Sequence, residues 1–205
     1  MNLKKWLVLI MPILLLLILI LAYNMFRFPA MFRNLKDESL SEDKVNALVE
    51  EMKQKDELKV LVAYFSYSGT TENVAKSLSS KINADLFKIE PKKEYKNVYI
   101  EGNNEIRFNK KPELKSTILE DYDVVFVGFP IWFHATPAPI NTFLESYDLK
   151  GKLIIPFCTS GGSDISEAMP TFLNSSKDLA IYKERRIINT NVLDDWLEEI
   201  GLFKK

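Results

Sequence analysis

Three runs of apolar, largely β-branched residues constrain this chain more than anything else in it. They are LKVLVAY at Leu58–Tyr64, DVVFVGF at Asp123–Phe129 and KLIIPFC at Lys152–Cys158. A strand with one wet face alternates apolar and polar residues, whereas near-continuous runs suit strands buried on both faces of a parallel sheet. Pro156 inside the third run weakens that assignment slightly. Between the runs the sequence predicts helices over Thr70–Ile82, Glu113–Glu120, Pro137–Tyr147, Ser163–Leu173 and Val192–Ile200. Asp85–Glu90 reads as a short second strand and Ile181–Asn189 as a last, edge strand. Asn97–Pro112 is polar and reads as irregular. Strands alternating with helices, each too short to stand alone, imply a parallel sheet covered on both faces. Right-handed crossovers then put every strand C-terminus on one edge, where open α/β sheets hold their ligands.

A second feature stands apart from that alternation. From Trp6 to Tyr23 eighteen residues pass without a charge, which as a helix is about 27 Å, close to the hydrocarbon thickness of a bilayer. Pro12 is better tolerated in a membrane helix than in a soluble one. A signal peptide is the alternative, with Lys4 and Lys5 as its basic start, but the run is long for one and no A-x-A site follows. The expectation is one transmembrane anchor over residues 1–26. Lys4 and Lys5 before it and Arg27, Arg33 and Lys36 after it point to opposite orientations under the positive-inside rule, so the side of the domain stays open. Residues 27–57 form a polar spacer, in which Ser41 starts a helix carrying Val45, Leu48, Val49 and Met52 on one face. Residues 58–205 form the α/β domain. A single cysteine, Cys158, allows no internal disulfide and does not choose a compartment.

The unusual residues gather in the loops after the three strong strands. The first loop, Ser66-Tyr67-Ser68-Gly69-Thr70-Thr71, offers four hydroxyls, a glycine and the amides of the helix behind it, which suits an anion. It has no lysine and no GxxxxGK[ST] pattern, so a monophosphate fits better than a nucleoside triphosphate with magnesium. A turn with an N-cap would use the same residues. The second loop, Phe129–Pro137, carries Trp132 and Phe133, which either stack on something planar or pack on a neighbouring helix. The third, Cys158-Thr159-Ser160-Gly161-Gly162-Ser163, offers backbone donors with little side-chain bulk, where a plain turn explains one glycine better than two. Together they make a phosphate cradle, a stacking wall and a ring-edge binder on one rim, the needs of flavin mononucleotide (FMN).

AYFSYSGTTENVA and YDVVFVGFPIWFHATPAPINTFLESYDLKGKLIIPFCTSGGS resemble the flavodoxin-like superfamily, over about Lys59–Leu202. The resemblance implies a flavodoxin-like α/β fold: a five-stranded parallel sheet of order 2-1-3-4-5, helices on both faces, here preceded by one transmembrane helix. It also implies FMN as cofactor. Ser66, Ser68, Gly69, Thr70 and Thr71 would take its phosphate, and Pro130, Ile131, Trp132 and Phe133 would contact the isoalloxazine. Thr159, Ser160, Gly161 and Gly162 would line the pyrimidine edge. Relatives commonly carry a second tryptophan and a glycine where this chain has Phe133 and His134. His134, the only histidine, reads as solvent-facing, with a proton donor as the alternative.

The reading is a membrane-tethered FMN-binding redox protein, either an electron carrier for a partner protein or a reductase moving electrons from NAD(P)H to a quinone-like acceptor. A net charge of −1 gives no basic field for nucleic acid and little charge steering for a carrier, which tilts toward the reductase. No Ser/His/Asp or Cys/His set and no metal-ligand cluster is evident, so neither a catalytic side chain nor a metal is expected. A flavin-free domain that binds a protein partner is the competing class; a hydrolase built on the hydroxyl loop is the weakest.

Overall fold

In the computed structural model, residues 3–116 and 121–203 are described. Strands β1 (Val60–Tyr64), β3 (Val124–Pro130) and β4 (Leu153–Thr159) are buried almost throughout, as their composition requires. β2 (Asp85–Lys88) pairs on the outside of β1, and the short β5 (Ala180–Ile181) and β6 (Arg185–Arg186) pair on the outside of β4. All pairs are parallel and the order is β2-β1-β3-β4-β5, with β6 also on β4. The 2-1-3-4-5 order is the expected one, but the sheet has six strands because its last position is split.

Pro156 explains the split. The carbonyls of Ile154 and Cys158 accept hydrogen bonds from Tyr182 N and Ile187 N, at 2.9 and 2.8 Å. Polar backbone groups alternate sides along a strand, so residue 156 faces the same edge, where proline has no N–H to offer. The chain pairs on either side of it, at Leu153–Ile154 and at Phe157–Cys158. Between them it turns out through Lys183, at φ 49°. The single strand expected over Ile181–Asn189 is therefore two fragments.

The helices cover both faces. α3 (Thr70–Ile82) and α7 (Leu193–Ile200) close one core around Val62, Phe126, Phe157 and Trp196. α2 (Glu42–Lys53) adds Val45 and Val49 to the same core; Ser41 precedes it without a side-chain cap bond. α5 (Ala138–Ser146) and α6 (Ile165–Leu173) close the other core around Val125, Phe129, Phe143 and Phe172.

Two further expectations fail. Asn97–Pro112 is not irregular: Val98–Arg107 is a helix, α4. Asn97 Oδ1 accepts from Ile100 N at 3.2 Å, and the Glu101 carboxylate accepts from the amides of Lys96 and Asn97. Glu113–Ser116 is not helical, and Leu114 instead bridges Pro91. The rest of that expected helix, 117–120, lies outside the described residues.

Among the described side chains, α1 (Leu3–Arg27) contributes to neither core. Ile10–Arg27 is long and apolar enough to cross a membrane, a property that a signal sequence shares.

One close approach locks the register of the two central strands. A Cβ on Gly128 would lie 2.2 Å from the Phe157 ring directly across the ladder. Gly128→Ala should cost about 1–3 kcal/mol by overpacking, read as a lower urea midpoint with an unchanged slope. An unchanged midpoint would mean that the Phe157 ring is not held over Gly128.

Candidate functional site

The three loops meet at the C-terminal edge of β1, β3 and β4, and Thr159 ties them together. Its hydroxyl shares a hydrogen bond with Thr71 Oγ1 at 2.8 Å, fastening the third loop to the start of α3. Its carbonyl accepts from Ile131 N at 3.1 Å, fastening the third loop to the second. Both threonines are buried, so these two hydroxyls position the loops.

Ser66 Oγ accepts from Gly69 N at 3.1 Å and shapes the turn before α3. Gly69 sits at φ 89°, a left-handed conformation open to glycine, and no side chain caps the helix it begins. The α3 N-terminus thus presents amides and a positive dipole end, with the exposed Ser68 and Thr70 hydroxyls beside it. α6, next along the edge, is closed instead: Asp164 and Glu167 form a capping box over its first turn. An anion is therefore favoured at α3 and disfavoured at α6.

The third loop turns around Ser160, whose Oγ accepts from the amides of Gly162 and Ser163. Gly161 and Gly162 are exposed with open space beside them. The Ser160 carbonyl accepts from the Arg186 guanidinium at 2.9 Å. Arg186 comes from β6, a position that sequence reading did not single out. Nothing local marks it, because only the split of the last strand brings it under this loop. Cys158, at the base of the same loop, has its thiol pushed up to about 12 by burial, against the pull of Arg186.

The second loop is a tight two-residue turn. Trp132 N and Ala135 O pair at 3.1 Å, Ala135 N and Trp132 O at 2.9 Å, and the central Phe133 and His134 have φ of 50° and 58°. Both central residues of this turn need positive φ, which glycine and asparagine supply more cheaply than phenylalanine or histidine. Trp132 stands in an aromatic box, with Phe65, Tyr95 and Tyr67 edge-on at 5.2, 5.3 and 6.0 Å. Behind it is α4, where a Cβ on Gly102 would lie 3.0 Å from its ring. Tyr95 donates to Glu105 at 2.6 Å. Burial raises the pKa of both groups, so the phenol stays protonated. Of the two expectations for the second loop, packing on a helix describes Trp132, while Tyr67 and Trp132 still line the rim from facing loops.

Phe133 and His134 meet the end of α1. Phe133 lies edge-on to Phe26 at 5.8 Å and to Tyr99 of α4 at 6.3 Å, and the His134 ring tilts against Phe28 at 4.4 Å. His134 is not solvent-facing: 23% of its side chain is exposed, and Nδ1 is hydrogen-bonded to Glu167. The carboxylate can only accept, so Nδ1 is the donor in this bond. Bonding to His134, then to the Asp164 amide, holds the Glu167 carboxyl below its usual range. A cavity of about 370 Å³ lies beside this pair, walled by Phe28, Met31, Leu35, Phe133 and Pro170. Among the described residues no group of His, Cys, Asp and Glu could hold a metal ion.

An open parallel α/β sheet with its ligand rim at a strand-order reversal defines the class. The flavodoxin family profile matches residues 59–200, and the chain belongs to that family. A Bacteroides eggerthii protein described as a flavoprotein by assignment is 35% identical, over 71% of this chain and 99% of its own, with a TM-score of 0.63. A Bacteroides uniformis protein so described is 34% identical, over 68% and 97%, also at 0.63. A Lactobacillus acidophilus flavoprotein, solved in complex with FMN, shares the fold at 24% identity and a TM-score of 0.58, over 69% and 99%. No functionally curated protein matches the chain.

The burial of Cys158 has a direct test. Burial disfavours the thiolate, so what the protonated thiol contributes to folding is complete below about 9 and lost as pH rises toward about 12. An aromatic disulfide reagent at pH 8 should leave the native protein untouched and react once the protein is denatured. Prompt reaction of native protein would place Cys158 at the surface.

Proposed function

We propose that this chain is a membrane-tethered FMN-binding redox protein. The observation that carries this reading is the convergence of three loops, tied through Thr159, on one edge beside an uncapped helix N-terminus. Bound there, FMN would supply hydride or single-electron chemistry, and the protein would orient and tune it. The residues fit the group. The α3 amides with Ser68 and Thr70 would take the phosphate, and Ser66 and Thr71 would shape that cradle. Gly161, Gly162 and the Ser160 turn would meet the pyrimidine edge, with the Arg186 charge behind them. Pro130, Ile131 and Trp132 would border the ring system and Phe133 its outer rim. The fold is one in which the L. acidophilus protein holds FMN.

The tether rests on α1, whose Ile13–Leu19 side chains are more than half exposed. A helix that is apolar all round and uncovered by protein is stable in lipid and not in water. For the acceptor we favour a lipid-soluble, quinone-like ring. The apolar cavity beside Phe133 and His134 has one wall in the segment leaving α1 and one polar pair for a ring carbonyl.

A second reading has its own observation. Phe26 and Phe28 already engage Phe133 and His134, as they would in a flavin-free interaction domain. Full-length protein in detergent, incubated with FMN, decides between them. The expected result is bound flavin bands with quenched fluorescence, and affinity about tenfold weaker in Trp132→Ala, for on the order of 1.4 kcal/mol of lost stacking. Colourless protein after incubation would end the redox reading. With flavin bound, turnover of NAD(P)H with a soluble quinone identifies a reductase; a reducible flavin without turnover identifies a carrier.

A further inference from the structure

The end of α1 is fastened to the domain by side chains of α4. Asn103 Nδ2 donates to the Phe26 carbonyl at 2.6 Å, and Arg107 donates to the Met25 carbonyl at 2.7 Å. These are last-turn carbonyls of α1, which have no partner within their own helix. Past the turn that follows, Arg33 crosses back over the same helix, donating to the Ile106 carbonyl at 3.1 Å and to Asn109 Oδ1 at 2.7 Å. With the Phe26–Phe133 and Phe28–His134 contacts, the junction is held on two sides, by α4 and by the second loop.

Around this junction lies a set of apolar side chains left mostly exposed. Phe32 is 67% exposed, Tyr99 67%, Ile100 58% and Phe108 64%. Interleaved with them are cations that lack carboxylate partners among the described residues. Arg27 bonds Tyr23 and lies over the Phe28 ring; Arg107 bonds only a carbonyl and an amide oxygen, and its Nε is buried without a partner. Many lysines elsewhere on the chain are paired with carboxylates. Aromatic rings mixed with unpaired cations at the end of a membrane-length helix have the composition of a bilayer interface.

We propose that α4 and the segment following α1 rest on the lipid bilayer, with anionic headgroups as partner, and hold the second-loop rim of the site at the membrane surface. This rests on the tether of the preceding reading but needs no flavin. Continuity with α1 selects the occupant: the surface begins where the span ends, and the junction bonds leave little freedom to lift away from it.

The test uses the full chain in liposomes of phosphatidylcholine with some phosphatidylglycerol. A fluorophore is attached at Phe32→Cys, Ile100→Cys, Leu15→Cys or Asp195→Cys, the last on α7 across the sheet. Buried Cys158 stays unlabelled. Nitroxide lipids then report contact with the bilayer. Labels at 32 and 100 should be quenched at least about threefold more than the label at 195, as expected for side chains inserted at the headgroup boundary. Asn103→Ala with Arg107→Ala should bring the label at 100 down to the level at 195 and leave the label at 15 unchanged. Quenching at 15 with none above the 195 level at 32 and 100 overturns the docked surface and leaves the tether standing. An unquenched label at 15 removes the tether and the proposal together. Flavin binding in detergent reports on the site independently of either.

Discussion

Two consecutive non-glycine residues at positive φ do not hold themselves in place. Each costs on the order of 1 kcal/mol or more, and Phe133 and His134 stand side by side in the turn that carries the rim of the site. What holds them comes from the end of α1 and from α4 and α6. Phe26 and Tyr99 brace Phe133, and Phe28 and Glu167 brace His134. Aromatic contacts of this kind contribute roughly 0.5–1.5 kcal/mol each, enough together to offset the backbone strain. The turn, α4 and the end of α1 form one mechanical unit, and Trp132 inherits its position from that unit.

The ends of the helices divide the work on the same edge. α6 satisfies its own first amides with Asp164, and Glu167 accepts from the Asp164 amide and from His134 Nδ1. α3 starts from a glycine with no side-chain cap, so its amides are left for something else. Two helices beginning on one rim thus differ in what they can bind, and the difference starts at the cap: Gly69 against Asp164, whose box Glu167 completes.

Much of this was legible in the chain. Continuous β-branched runs require strands buried on both faces, and the strand order follows the family once the loops are recognised. The misses share a physical cause. α4 contains Gly102, Asn103 and Asn104, poor helix formers, and two of them are present for tertiary contact: Gly102 lets Trp132 approach and Asn103 caps α1. Propensity cannot see a contact that has not yet formed. The split of the last strand was written in Pro156, but on the neighbouring strand, so its effect appears only when the register is known. Arg186 and the Thr71–Thr159 pair were hidden for the same reason, 26 and 88 residues from their partners.

α4 then has three duties on different sides of one short helix. Gly102 backs Trp132, Asn103 and Arg107 receive the end of α1, and Ile100 with Phe108 leaves an apolar stripe uncovered. Residues 99, 103 and 107 fall one turn apart, which is why a single face meets both Phe133 and the last carbonyls of α1. A helix so committed could not be optimised for propensity as well, and its capping by Asn97 and Glu101 offsets what Gly102 and the asparagines take away. α1 and the candidate site are therefore one unit, because the helix that backs Trp132 is the helix that holds the end of α1.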